Sequence, residues 1–275
     1  MDISSLLLTY VIVFSVASVL SVFGKGGGEF YVPLLITLGM PFQSAASTSL
    51  LCLVFSGIAM TFVYHRKMGQ VDWQLAAVLF STAGVSAFLG GMFSVGIDPF
   101  YLKIIFSMTL FMAAGIMYLR MNRAAGKEGK ITVEEKQRNE GFWIWHRSGK
   151  ENSFDMNLLL VLPSVAIVAF LAGMVGISGG SLIVPIMIIL GSVPVRRAFA
   201  TNSVLVMMTS LMGLFGRGVS MGINLNIAVP IALFAMGGAL TGSTLSGKIE
   251  TARLQRYFIV VIVVAALWML YRAFY

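Results

Sequence analysis

Lys25 and Glu29 lie four residues apart in the stretch GKGGGEFYVP (residues 24–33), among four glycines in an otherwise apolar part of the chain. A cation and a carboxylate so placed have three chemistries open to them. Lys25 can attract an anion while Glu29 takes up and releases a proton. The two can neutralise each other as an ion pair. Or the lysine can lay its apolar stem along the segment and put its ammonium in water. The glycines bring a separate chemistry, because a residue without Cβ lets a ligand approach backbone N–H groups closely. Gly26, Gly27 and Gly28 are therefore candidate anion-binding positions, with Lys25 beside them and Glu29 as the candidate proton-coupling residue.

A second stretch, GISGGSLIVP (residues 176–185), repeats the skeleton without the charges. Ile177 and Ser181 stand where the first has Lys25 and Glu29. Ser178, Gly179, Gly180 and Ser181 are the matching candidates. Two polar clusters, STS at residues 47–49 and ATNS at residues 200–203, add Thr48, Ser49, Thr201 and Asn202. Their hydroxyl and amide groups are suited to donate to the oxygens of an oxyanion. The same residue types also serve helix packing: glycine by close approach, hydroxyls by bonding across helices or back to their own carbonyls. The order glycine, short apolar segment, proline, present twice, favours a site.

The elements that carry these residues follow from composition. The chain has 275 residues, 58% hydrophobic and 11% charged, with mean hydropathy +0.90. Soluble domains carry roughly 25% charged residues, so this chain belongs in a lipid bilayer. Its net charge of +8 reflects basic residues gathered in cytoplasmic loops rather than affinity for nucleic acid. The lone Cys52 forms no intrachain disulfide and no metal site, and His65 and His146 show no ligand spacing. Asp2 and the absence of a basic residue argue against reading residues 1–23 as a signal peptide.

An internal repeat organises the chain. At an offset of 152, Gly24, Gly27, Gly28 and Pro33 fall on Gly176, Gly179, Gly180 and Pro185. A one-residue slip then aligns Pro41, Ala45 and Thr48 with Pro194, Ala198 and Thr201, before the first offset returns at Ala87/Ala239 and Gly90/Gly242. Each copy reads as five apolar segments. The first copy gives 6–23, 30–40, 44–64, 73–95 and 100–120. The second gives 157–175, 182–191, 198–216, 224–246 and 254–273. The expected architecture is an all-α polytopic membrane protein. Its parts are a first repeat (1–120), a polar cytoplasmic linker (121–156) holding 13 of the 30 charged side chains, and a second repeat (157–275). The short second segments rise only about half of a ~30 Å hydrocarbon core, so they are half-helices whose N-termini point into the membrane interior. A helix N-terminus offers free N–H groups and partial positive charge, which suits an anion.

Segments one and two add an even number of crossings and the other three add an odd number, so the second half is expected to be inverted. With the linker inside, 15 of the 19 Lys and Arg fall on the cytoplasmic side, three (Lys103, Arg217 and Arg272) outside, and Lys25 in the break. Flipping the second half gives 12 inside and six outside. Both termini are then extracytoplasmic. Inverted repeats with discontinuous helices are a recurring design of secondary transporters.

No catalytic constellation stands out. The stretch GSTLSGK (residues 242–248) imitates a phosphate-binding loop, but Ile249 replaces the required hydroxyl residue and no strand precedes it. An enzyme is not expected, nor a cofactor.

The duplicated signature G-x-[GS]-G-G-x-x-x-x-P, each copy followed by a helix start rich in small residues and threonine, resembles the TauE/SafE family of membrane permeases. The resemblance covers almost the full chain. It implies transport of sulfite, sulfonates and other sulfur-containing organic anions, often by export, in a bacterial inner membrane. Lys25 and Glu29 are not part of the shared pattern, so their roles rest on physical grounds alone. The expected partners are a small anion and the lipid bilayer. A channel, a carrier of a different small organic anion, or a cation carrier with Glu29 as ligand remain the alternatives, and the oligomeric state is not fixed.

Overall fold

The computed structural model describes residues 3–125, 144–147, 154–218, 223–246 and 251–274. The central polar stretch at 126–143 and 148–153, and Lys248 and Ile249 of the phosphate-loop imitation, lie outside the described residues. Among the described residues, ten helices account for all ten apolar segments. In the first half they are α1 (Ile3–Ser21), α2 (Gly28–Thr37), α3 (Phe42–Arg66), α4 (Trp73–Ser94) and α5 (Pro99–Ala125). In the second half they are α6 (Leu158–Val175), α7 (Gly180–Ile189), α8 (Val195–Arg217), α9 (Leu225–Leu245) and α10 (Thr251–Phe274). Two differences from expectation stand out. The stretch read as a plain linker begins with the last turn of α5 and includes a short antiparallel pair, β1 (Ile144–Arg147) with β2 (Phe154–Asn157). The short helices start two residues early, at Gly28 and Gly180, so glycines form their first turns.

Local chemistry sets the ends. Pro41 and Pro194 occupy the N-cap positions of α3 and α8, just before each helix begins. Asp72, Asn157 and Asn224 cap α4, α6 and α9 by accepting backbone N–H groups. Pro33 and Pro185 lie within α2 and α7. Proline has no N–H, so the carbonyls of Glu29 and Ser181, one turn earlier, lose their helical partners.

Among the described residues, six helices, α3, α4, α5, α6, α8 and α9, are long and apolar enough to cross a membrane. At ten residues each, α2 and α7 rise ~15 Å, half the hydrocarbon thickness. Large apolar side chains face outward, among them Leu8, Phe62, Met108, Ile167, Leu233 and Val260. Exposed apolar surface of this kind suits lipid rather than water. The chain is a multi-pass membrane protein.

The halves interlock. Helix α1 packs on α9, and α6 on α4; α3 packs on α9, and α8 on α4; α3 crosses α8, and α5 lies against α10. Exchanging the halves maps this list onto itself. Close backbone approach makes the crossings possible. A Cβ on Gly90 would stand 2.0 Å from the Phe170 carbonyl oxygen, and one on Gly242 1.9 Å from that of Ser18. Both residues of each pair are 152 positions from their counterparts. The buried α3 and α8 form the centre, and the two half-helices lie against them.

Candidate functional site

The first break runs from the end of α1 at Ser21 to the start of α2 at Gly28. Gly24, Gly26 and Gly27 take positive φ there, at 66°, 76° and 101°. The second break runs from Val175 to Gly180, with Gly176 at 81° and Gly179 at 61°. Glycine adopts this conformation without steric cost, and no other residue does so as readily. Each break is seated on the long central helix of the other half. A Cβ on Gly24 would meet the Phe199 carbonyl oxygen at 2.1 Å, and one on Gly176 the Ala46 Cα at 2.7 Å. Phe199 and Ala46 are themselves equivalent in the repeat.

Reciprocal hydrogen bonds fasten these seats. The Asn202 side-chain amide donates to the Gly24 carbonyl at 2.6 Å, and the Ser49 hydroxyl donates to that of Gly176 at 2.7 Å. Asn202 and Ser49 are equivalent under the one-residue slip. A second reciprocal pair closes the interrupted helices, whose last carbonyls would otherwise face neither water nor a helical partner. Tyr64 donates to the Ser21 and Val22 carbonyls, each at 2.9 Å, at the end of α1. Arg217 donates to the Gly173 and Met174 carbonyls at the end of α6, and to the Gln43 side chain at 2.6 Å. Positions 64 and 217 also correspond. The first break has one further clasp, from the Tyr31 hydroxyl to the Gly26 carbonyl at 2.6 Å.

The two breaks touch where a Cβ on Gly28 would lie 3.0 Å from the backbone nitrogen of Ser178. At that meeting place sits the Glu29 carboxyl, with 0% exposure. Its Oε1 accepts from the hydroxyls of Ser178, at 3.2 Å, and Ser181. Its Oε2 has no hydrogen-bond partner. Ser178 in turn accepts from the Gly180 N–H at 3.3 Å, in the first turn of α7. The carboxyl therefore belongs to the first turn of α2 and is held at the N-terminus of α7. Both helix ends carry partial positive charge. Ser181, its partner, is also its repeat counterpart, 152 positions on.

Lys25 does not pair with Glu29. Its ammonium lies 3.7 Å from the Met117 sulfur and 5.9 Å from the centre of the Phe23 ring. At 3% exposure it is buried rather than extended into water.

The structure buries Gly26, Gly27, Gly28, Ser178, Gly179, Gly180, Ser181 and Glu29, and it brings Gly28, Glu29, Ser178, Gly180 and Ser181 into contact. The four residues expected beside them divide. Ser49 and Asn202 spend their donors on glycine carbonyls, while Asn202 Oδ1 and Thr48 Oγ1 are buried without a hydrogen bond. Thr201 accepts from the Asp72 backbone N–H at 3.2 Å and so anchors the start of α4. There Asp72 also pairs with Arg197 at 3.5 Å. Sequence reasoning did not single out Arg217, Tyr64 and Tyr31. The available signal was that a helix ending in buried surroundings needs donors for its carbonyls, and Tyr64 and Arg217 lie in the last turns of the long helices α3 and α8 at equivalent places. Among the described residues no three His, Cys, Asp or Glu converge as a metal site would require.

The family model for the sulfite exporter TauE/SafE matches residues 9–269. The chain belongs to the TauE/SafE family. A relative named "Probable membrane transporter protein YunE", from Bacillus subtilis, is 24% identical over 93% of each chain. One named "Probable membrane transporter protein MJ0441", from Methanocaldococcus jannaschii, is 28% identical over 70% of this chain and 65% of its own. A third, from Xylella fastidiosa, bears the name "Probable membrane transporter protein" and is 25% identical over 99% of this chain and 98% of its own. No solved structure matches the chain significantly. TauE/SafE membership and these names make the chain a membrane transporter.

Proposed function

We propose that the chain is a secondary transporter, working as an exporter, for small sulfur-containing anions such as sulfite, sulfoacetate or another organosulfonate. It operates by alternating access, with residues 1–120 and 157–275 as inverted repeats that rock about the contact between their glycine breaks. The linker at 121–156 is cytoplasmic, both termini are extracytoplasmic, and the membrane is the bacterial inner membrane. The anion binds where the breaks meet, on Gly26, Gly27, Gly28, Ser178, Gly179, Gly180 and Ser181, with Thr48, Ser49, Thr201, Asn202 and Lys25 around it and Glu29 coupling a proton.

One observation carries this reading. A carboxylate oxygen is already held there by two hydroxyls at a helix N-terminus, fully buried. The device that holds a carboxylate suits a sulfonate or sulfite, which presents similar oxygens at similar spacing. The packing list that maps onto itself under exchange of the halves supports a two-repeat mechanism. A screen of purified protein against sulfite, sulfoacetate, taurine, thiosulfate and carboxylate controls tests the substrate class. Binding of the sulfur oxyanions above the carboxylates is expected. Preference for carboxylates, or binding of none, contradicts it.

A further inference from the structure

Glu29 occupies the very position that the site offers to an anion. We infer that its carboxylate is a tethered occupant of the anion site, displaced on substrate binding by taking up one proton. This rests on the proposed transport of anions and adds how the site admits them.

The chemistry is a competition. The hydroxyls of Ser178 and Ser181 and the N-terminus of α7 form one oxyanion seat, and Glu29 Oε1 fills it. Two anions at one buried seat repel each other strongly, since Coulomb energies rise steeply away from water. A second anion therefore enters only when Glu29 is neutral. Protonation makes the carboxyl an O–H donor and frees both serine hydroxyls to donate to the incoming oxyanion. On release, Glu29 gives its proton to water and returns to the serines. The exchange balances: one proton is taken up for each anion bound, and no covalent bond to the substrate forms. A doubly charged anion moving with that proton still leaves down an inside-negative potential.

The surroundings permit this. On its own side, Glu29 has Lys25, whose ammonium lies at Met117, and Tyr31, whose hydroxyl donates to the Gly26 carbonyl; Cys52 of α3 is buried. Among the described side chains of the other packed elements, Arg217 of α8 is committed to α6 carbonyls and Gln43. Arg197 of α8 faces Asp72. Arg272 of α10 bonds the Ile36 carbonyl at the far end of α2, and Lys103 of α5 bonds the Arg272 carbonyl. None of these bonds reaches the Glu29 carboxyl. Its Oε2, buried without a hydrogen bond, is the atom placed to take the proton.

The test uses full-length protein and methanesulfonate, whose charge is constant between about pH 5 and 8, with sulfite and sulfoacetate alongside. Calorimetry in buffers of different ionisation enthalpy counts protons. The expected result is about one proton taken up per anion by the wild type. Above its optimum, affinity falls roughly tenfold per pH unit. Glu29→Gln, neutral and of the same shape, is expected to bind methanesulfonate with no proton uptake, and at about pH 8 at least ~10-fold more tightly than the wild type. Binding by the wild type with no proton uptake and no pH dependence overturns the tethered-carboxylate inference and leaves anion transport standing. Weaker binding by folded Glu29→Gln does the same. If none of the three anions binds folded wild type at any pH, the transport reading falls and the inference with it. The proton count on wild type needs no variant to fold.

Discussion

At the first break an acid, Glu29, stands where the second has Ser181, and in the first half Tyr64 stands where the second has Arg217. The backbone devices around these positions are shared. Gly24 and Gly176 sit against the backbone of the opposite central helix, and Asn202 and Ser49 fasten them. The charges are not shared. Arg217 lies at the carbonyl end of α6 and Glu29 at the N–H end of α7, each matching the sign that a helix end favours. The break that carries no ions of its own is thus the one that both ions serve.

The shared seats are the hardest part to alter. Gly24→Ala and Gly176→Ala each force a Cβ into backbone at positive φ, at a cost on the order of 3 kcal/mol or more. Loss of monodisperse folded protein on size-exclusion chromatography is expected for both. A tolerated Gly176→Ala would break the equivalence of the seats. Next come the unequal caps. Arg217→Met strips the α6 carbonyls and Gln43 of their donors within the protein interior and is expected to cost about 3 kcal/mol. Tyr64→Phe removes one hydroxyl and is expected to cost about 1 kcal/mol. Equal shifts in thermal unfolding would mean that the charge at α6 adds nothing over a neutral donor. Smaller again is the reciprocal pair, where Ser49→Ala and Asn202→Ala should each cost about 1–2 kcal/mol and match one another. The smallest effect separates two equivalent threonines. Thr201→Val gives up the Asp72 N–H and should cost about 1 kcal/mol. Thr48→Val loses no hydrogen bond and should stay within ~0.5 kcal/mol while lowering transport. A large loss of stability in Thr48→Val would show that its hydroxyl is structural.

Much of this was legible in the sequence because periodicity and offset are local properties. Every apolar segment became a helix, and the two short ones are half-length. Their starts were misplaced by two residues because a left-handed glycine at 27 or 179 lets a helix begin on the following glycine. Arg217 was counted as a charge outside the membrane, since a terminal arginine ordinarily reaches for water. Its 2% exposure follows from the end of α6, which lies in the interior and needs donors. The bonds from Ser49 and Asn202 to glycines of the opposite half depend on how the halves dock, and no spacing along one chain encodes that. The same holds for Glu29. Its nearness to Lys25 in sequence suggested a pair, whereas its partners lie 149 and 152 residues away. The β1–β2 pair lies in a stretch whose charge content masked any strand pattern.

The most direct measurement is accumulation of radiolabelled sulfite or sulfoacetate in proteoliposomes under an imposed proton gradient, for wild type and for Ser178→Ala/Ser181→Ala. The expected result is accumulation above the external concentration by wild type and at least a ~10-fold lower rate for the double variant, with both proteins equally folded. Wild-type rates in the double variant, or equilibration without accumulation in wild type, would contradict a carrier whose anion site lies where the two glycine breaks meet.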